Sequence, residues 1–349
     1  MSTIEPHAVM PLAARRTFRF GTVAALALAL AYGLAMPLPF LAPLLAITLT
    51  AAPAPPMGPK GLLGLMLVVA ITLGAGLVLT PVLRHYPLTG VMMIAAGLFV
   101  STYMSVGLGK GAVATLLTIG ITMIPAAGLM EHALARAIVE ALLIGLGLAI
   151  VCQWIVYPFF PEDRVTATSP KAAATDMHQS LWIALRTTAI VLPPVLMALS
   201  NPSAYMAIIM KAVLLGQQGS AITARAAGYQ LLGSTLLAGV FAFVFWFALK
   251  LWPGLWMFAL WMLLFGLYLG GKLYGAIATR LPASFWINVG VTMLILIGPA
   301  VEDSKGGDVY EAFAKRFALF VAVTLYAWLA ILVLERLRAY RIARRTRLA

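Results

Sequence analysis

Lys211 places a positive charge in the middle of an apolar segment of the chain. It lies ten residues after Asn201, which corresponds to about 15 Å along a helix and to the middle of a roughly 30 Å hydrocarbon core. Because a lysine at that depth costs about 2.5–3.5 kcal/mol, its side chain should face the protein interior or a water-filled cavity. The residue therefore predicts a binding site for an anion. The alternative is that its long side chain reaches the cytoplasmic surface.

Other candidate residues for the same site follow Lys211 in the chain: Gln217, Gln218 and Arg225. Arg225 begins the next apolar segment, where it is either an anchor at the membrane surface or part of an inner gate. Pro43 is a candidate on a different argument, because it interrupts the proline-rich segment 37–55 and frees a backbone carbonyl. Such groups are tolerated at membrane depth only where protein or water satisfies them, so the break favours a cavity.

Arg136 and Glu140 form a second candidate group, for proton coupling. They are four residues apart and share one face of a helix. Arginine before glutamate is the less favourable order for local helix support, and Arg136 lies near the positive end of its helix. A carboxylate within the membrane can exchange a coupling proton, so Glu140 is predicted to do so beside Arg136. A structural ion pair is the alternative.

The composition predicts an integral membrane protein built of helices. Of 349 residues, 62% are hydrophobic and 10% are charged, against about 45–50% and 25% in soluble domains. So few charges cannot cover a soluble globule, and the single cysteine, Cys152, excludes a disulfide scaffold. The four histidines have no metal-ligand spacing, and no loop has room for a nucleotide-binding domain. We therefore predict no cofactor, no metal, no enzymatic activity and no nucleic-acid partner.

Apolar segments predict about twelve transmembrane helices with both termini in the cytoplasm. The segments are 19–36, 37–55, 61–81, 88–106, 111–129, 133–157, 181–200, 202–219, 226–249, 253–271, 282–300 and 312–334. This topology puts sixteen of the 24 basic residues on the cytoplasmic side and six on the other, as the inside-positive bias requires. The formal net charge of +13 is therefore explained by membrane orientation, with a basic tail against anionic lipid.

The two halves of the chain are similar in sequence, which predicts an internal repeat. Residues 120–125 resemble residues 290–299, and each half begins with a helix that contains an arginine, Arg19 or Arg186, before a proline break. Two halves of six spans each must have the same orientation, which defines a parallel repeat. The predicted organisation is a first repeat at 1–160, a cytoplasmic linker at 161–180, and a second repeat with a basic tail at 181–349.

These features together resemble the fusaric acid resistance, or aromatic acid exporter (FUSC), superfamily. The resemblance spans nearly the whole chain, and its residues are Arg19, the run 37–50, Ala135, Arg136, Glu140, Gly145, the run 216–220, Arg225, Leu232 and Gly233. It implies an efflux component of the bacterial inner membrane for aromatic carboxylic acids or similar toxic organic anions. It also implies a periplasmic adaptor of the membrane-fusion type. Many such exporters carry a large cytoplasmic domain, which the short linker of this compact chain does not provide.

The residues leave three functional hypotheses open. A proton-driven exporter would use Lys211 for the substrate carboxylate and Glu140 for the proton. A passive anion channel would need the same lysine but no proton gradient. A membrane scaffold of an envelope complex would need neither charge. Self-association into a homo-oligomer is compatible with all three.

Overall fold

The computed structural model describes residues 10–163, 177–202, 205, 224–303 and 309–348. This part of the chain contains eleven helices and no strand. The helices are α1 (Leu12–Gly33), α2 (Leu41–Thr50), α3 (Pro59–His85), α4 (Pro87–Gly107), α5 (Gly111–Met130), α6 (His132–Val156), α7 (Met177–Ser200), α8 (Ala224–Leu251), α9 (Leu255–Leu273), α10 (Ala283–Asp303) and α11 (Val309–Leu348).

Nine of the described helices, α3 to α11, are long and apolar enough to cross a membrane. The prediction of a multi-pass, all-helical membrane protein is therefore confirmed. The sequence predicted twelve spans, three more than the nine found among the described residues. Most of one predicted span, 202–219, lies outside the described residues. The remaining two helices, α1 and α2, do not meet these criteria of length and hydropathy, and the reason differs between them.

Helix α1 carries three arginines in its first eight residues, which lowers its hydropathy, although it is 22 residues long. Helix α2 has only ten residues, or about 15 Å, which is half the thickness of a hydrocarbon core. The turn before α2 is tight, because Ala35 and Leu38 both have positive φ angles. Pro43 lies in the first turn of α2, where a missing N–H is tolerated, so it does not break the helix as the sequence suggested.

Contacts between helix ends define two faces of the molecule. The start of α1 contacts the chain after α6, because Arg15 donates a hydrogen bond to Asp163. The end of α6 lies beside the start of α3, where the Trp154 indole donates to the Met57 carbonyl. We call this side the amino-terminal face and the other side the opposite face. Helix α9 runs antiparallel to α1, so that Leu255 lies near the end of α1, on the opposite face.

Glycines allow pairs of helices to approach closely. A Cβ atom at Gly266 on α9 would lie 2.8 Å from the Cα atom of Gly21 on α1. Gly270 completes a GxxxG spacing, and its Cβ would lie 3.3 Å from the Cα of Thr17. Helices α3 and α5 also approach closely, because a Cβ atom at Gly76 would overlap the carbonyl oxygen of Gly120.

The helices pack in pairs that link the first six elements to the last five. Helix α1 packs against α9, and α4 packs against α7. Within the first six, α3 contacts α5 and α6, and α6 also contacts α1. Within the last five, α8 contacts α10 and α11, and α11 also contacts α7. One core cluster lies among α1, α8, α9 and α10, and a second lies among α2, α3, α5 and α6.

Candidate functional site

A buried ionic cluster joins the start of α1 to the segment after α6. Arg19 donates to Glu162 over 2.7 Å, and Arg16 donates from its Nε to the other carboxylate oxygen over 2.5 Å. Arg15 pairs with Asp163 over 2.5 Å nearer the surface. The side chains of Arg19 and Glu162 are each only 4% exposed. Burying two charges costs desolvation free energy, which their mutual attraction offsets. Removing one partner would leave the other charge buried and uncompensated, which destabilises the fold.

The two arginines keep Glu162 ionised. Burial alone would raise the pKa of this carboxyl, but hydrogen bonds from Arg16 and Arg19, together with their positive charges, outweigh burial and lower it. A carboxylate with a lowered pKa stabilises the folded state above its ordinary pKa of about 4.3. This contribution is lost as the pH falls through the lowered value.

The acid stability of the chain should therefore depend on Glu162. The difference in melting temperature between the wild type and Glu162→Gln should be constant from pH 7 to about pH 5 and should shrink below pH ~4.3. Asp163→Asn is the matched control, because the Asp163 side chain is 56% exposed and its pair is screened by solvent. Melting of the purified variants across this pH range measures the effect. A difference that does not change with pH would contradict it.

A cavity of about 340 Å³ opens beside this cluster at the amino-terminal face. Its polar wall contains Gln153, whose amide donates to the Thr50 hydroxyl over 3.0 Å. Arg19 also lines it, with its guanidinium carbon 5.6 Å from the centre of the Tyr157 ring. The full lining is Arg19, Thr48, Leu49, Thr50, Ala52, Ala54, Pro55, Pro56, Met57, Ile150, Gln153 and Tyr157. We call it the amino-terminal cavity.

A second cavity, of about 730 Å³, lies at the other end of α1. It is lined by Tyr32, Trp246, Leu249, Lys250, Pro253, Gly254, Leu255, Phe258 and Val301, and we call it the opposite cavity. Its cation, Lys250, donates to the Tyr310 hydroxyl over 2.7 Å. The Tyr32 and Phe258 rings meet edge to face, with their centres 4.9 Å apart.

Helix α1 forms a wall of both cavities and separates them with packed side chains. Arg19 and Tyr32 are thirteen residues apart, or about 20 Å along the helix. Between them, Val23, Ala24 and Leu28 are completely buried. Each cavity thus combines one cation with aromatic and apolar walls, which is the chemistry that holds a small aromatic anion.

Most of the binding residues predicted from the sequence cannot be compared with these cavities. Lys211, Gln217 and Gln218 lie outside the described residues. Arg225 lies in the first turn of α8, but its side chain is not described. Pro43 is buried and lines neither cavity.

Arg136 and Glu140 lie on the outer surface of α6, away from both cavities. Both side chains are exposed, in a stripe that continues with Ile144, Val151 and Ile155. Among the ion pairs of the described residues, none joins Arg136 to Glu140. The alternative of a structural ion pair within the helix is therefore not supported by the geometry.

The first half of the chain is similar to a known family. Residues 16–156 match the family described as a protein of unknown function (DUF2955). The match runs from the first turns of α1 to the last residue of α6, so it includes the helices around the amino-terminal cavity. No curated protein and no solved structure matches the chain.

Several residues of the ionic cluster and of the two cavities could not be identified from the sequence. The predicted linker at 161–180 includes Glu162, although this residue follows a span that ends on the face where α1 begins. The signal for this contact in the sequence was that Glu162 and the arginines of α1 have opposite charges and are predicted on the same side of the membrane. Tyr32 and Gln153 gave no such signal, because a single tyrosine or glutamine in an apolar run is not distinctive. In the described residues, no three His, Cys, Asp or Glu side chains cluster as metal ligands would.

Proposed function

We propose that this chain exports aromatic carboxylic acids or related organic anions across the bacterial inner membrane, driven by protons. The observation that carries the proposal is the pair of cavities at the two ends of α1, each with a cation beside aromatic and apolar walls. Cavities at both ends with closed packing between them suit a carrier that opens to one side at a time, because each cavity gives access from one side of the membrane. The resemblance to the fusaric acid resistance superfamily points to the same substrates.

The amino-terminal cavity suits a small aromatic acid in both size and chemistry. Its volume lies at the lower end of the range of about 300–1,000 Å³ that is typical of ligand pockets. The substrate carboxylate would pair with Arg19, and its ring would lie against Tyr157 and the prolines of the loop after α2. Because Glu162 already pairs with Arg19, substrate binding would exchange one carboxylate for another. Such an exchange is a means of loosening the contact between α1 and the end of α6.

The proposed architecture is two parallel six-element repeats with both termini in the cytoplasm. The packing supports it. If each helix is replaced by its counterpart in the other repeat, the contact of α1 with α9 becomes the contact of α7 with α4. In the same way, the contact of α3 with α5 becomes the contact of α8 with α10. In each half, an arginine of the first helix forms an ion pair with a glutamate that lies in or after the last helix. These pairs are Arg19 with Glu162 and Arg186 with Glu335.

Coupling and the remaining contacts to substrate complete the proposal. Glu140 would carry the proton, which the sequence motivates as a carboxylate within an apolar span, although its side chain lies on the outer surface of α6 away from both cavities. Lys211, Gln217 and Gln218 would hold the substrate carboxylate at mid-depth, and Arg225 would belong to the inner gate. A periplasmic adaptor would receive the substrate.

The proposal is tested by growth of bacteria that express the chain in the presence of toxic aromatic acids such as benzoate. Lys211→Ala and Glu140→Gln should each remove the protection that the wild type gives, because they delete the proposed anion site and proton carrier. Lys60→Ala and Glu311→Gln are the controls, since both residues are exposed. If both test variants protect as well as the wild type, at equal amounts in the membrane, neither residue carries transport and the scaffold hypothesis gains.

A further inference from the structure

We propose that the outer surface of α6 is a contact between two copies of this chain, in which Arg136 of each copy pairs with Glu140 of the other. Both side chains are exposed on this surface. Among the described residues, no ion pair includes either of them. The same exposed stripe continues with apolar side chains, which are Ile144, Val151 and Ile155. The two charges thus lie on a surface that otherwise suits lipid or another helix.

The depth of Glu140 makes lipid a poor cover for this surface. Helix α6 has 25 residues and is therefore about 38 Å long, or about 8 Å longer than a hydrocarbon core. Glu140 lies eight residues, or about 12 Å, after the first residue of the helix. If the excess length is divided between the two ends, Glu140 lies about 8 Å inside the core. Charged side chains in membrane spans pair with one another, so this carboxylate needs a cation.

A second copy of the chain supplies both missing counter-charges at once. Copies that insert in the same orientation are related by a two-fold axis along the membrane normal, which places the two α6 helices parallel. In such a contact each surface meets itself, so a surface that carries both signs of charge is self-complementary. Arg136 and Glu140 are offset by about 6 Å along the helix, which the long arginine side chain spans. The ion pair then forms twice, once on each side of the axis.

The apolar part of the stripe suits a parallel pair of helices. Ile144 and Val151 are seven residues apart, and both are exposed. β-Branched residues at this repeat favour two-stranded parallel packing. Ile155 extends the stripe towards the amino-terminal face. From Arg136 to Ile155 the stripe is about 28 Å long, so the contact would run through most of the hydrocarbon core.

This contact goes beyond the proposed function and does not rest on it. The stripe and the amino-terminal cavity occupy different sides of α6, because the cavity is lined by Ile150, Gln153 and Tyr157. Each copy therefore keeps its own cavities. The contact gives Glu140 a neighbour in the second copy, and it can be measured in membranes that have no proton gradient.

Disulfide cross-linking of the full chain in membranes tests the contact. The single cysteine, Cys152, is buried, so Cys152→Ala gives a background without thiols. In this background, Ile144→Cys and Val151→Cys should each form a covalent dimer with a membrane-permeant oxidant, because each residue faces its own copy. Val240→Cys on α8 and Leu329→Cys on α11 are the controls, since both residues are also exposed. Non-reducing electrophoresis measures the dimer. Equal cross-linking at all four positions, or none at 144 and 151, overturns the contact.

Charge reversal tests whether the two charges pair between copies. Arg136→Glu and Glu140→Arg each bring like charges together, so each should lower the Ile144→Cys dimer by about fivefold or more. The double variant Arg136→Glu with Glu140→Arg restores opposite charges and should regain the original yield. Lys60→Glu reverses an exposed charge away from the stripe and should have no effect. If the double variant dimerises no better than the single ones, the ion pair between copies is overturned.

Glu140→Gln separates this contact from the proposed exporter. The glutamine cannot exchange a proton, but its carbonyl oxygen still accepts a hydrogen bond from arginine. Dimer yield should therefore fall much less with Glu140→Gln than with Glu140→Arg, while export should be lost. A wild type that cross-links but exports no aromatic acid supports the contact and overturns the exporter. A wild type that exports but does not cross-link at 144 or 151 overturns the contact alone.

Discussion

Replacing Arg19 with glutamine should abolish export of aromatic acids while leaving a folded chain. Arg16 would still hold Glu162, so the loss of stability should be that of one charged hydrogen bond, about 1.5–3 kcal/mol. Glu162→Gln should cost more, about 3–5 kcal/mol, because it leaves Arg19 buried without its carboxylate. Melting of the purified variants and benzoate export from proteoliposomes measure the two effects.

The double variant separates binding from structure. Arg19→Gln with Glu162→Gln removes both buried charges, so it should regain part of the stability but none of the export. Arg186→Gln is the matched control: Arg186 is also buried and pairs with Glu335, but it lines neither cavity. It should lower stability and leave export intact. Full export by the double variant would show that Arg19 has only a structural role.

Gly76→Ala should destabilise the chain by about 3 kcal/mol or more, because its new methyl group would overlap the carbonyl oxygen of Gly120. A backbone atom cannot move aside as the end of a side chain can, so α3 and α5 would have to separate. Melting temperature in detergent measures the loss.

Gly74 supplies the control on the same helix. A Cβ atom there would meet nothing within 4 Å. Gly74→Ala should therefore be neutral, or should stabilise the chain by up to about 1 kcal/mol through the better helix propensity of alanine. Equal losses for the two substitutions would contradict the close packing of α3 and α5.

The long apolar helices were predictable because hydropathy depends on local composition alone. The segment predicted at 88–106 is the helix Pro87–Gly107, and 133–157 is His132–Val156. The ends were less predictable where charged residues extend a helix beyond the membrane. Helix α1 begins at Leu12 rather than at residue 19, because its arginines face the segment after α6. Helix α11 continues to Leu348 through the basic tail.

The candidate sites were much less predictable than the helices. Lys211 and Glu140 are conspicuous in the sequence because each is a charge in an apolar run. The two cavities depend instead on which helices are neighbours in space, such as α1 and α9. Tyr32 and Trp246 are 214 positions apart in the sequence and line one cavity only because of that packing. The GxxxG spacing of α9 predicted a close approach but not its partner, Gly21.

Benzoate release from loaded proteoliposomes is the most direct test of the proposed exporter. We expect release that requires the protein, that exceeds the release from protein-free liposomes, and that collapses when an uncoupler removes the proton gradient. Full release in the presence of the uncoupler would contradict proton drive. Single-channel currents without a proton gradient would instead identify an anion channel, and the absence of protein-dependent release would contradict transport altogether.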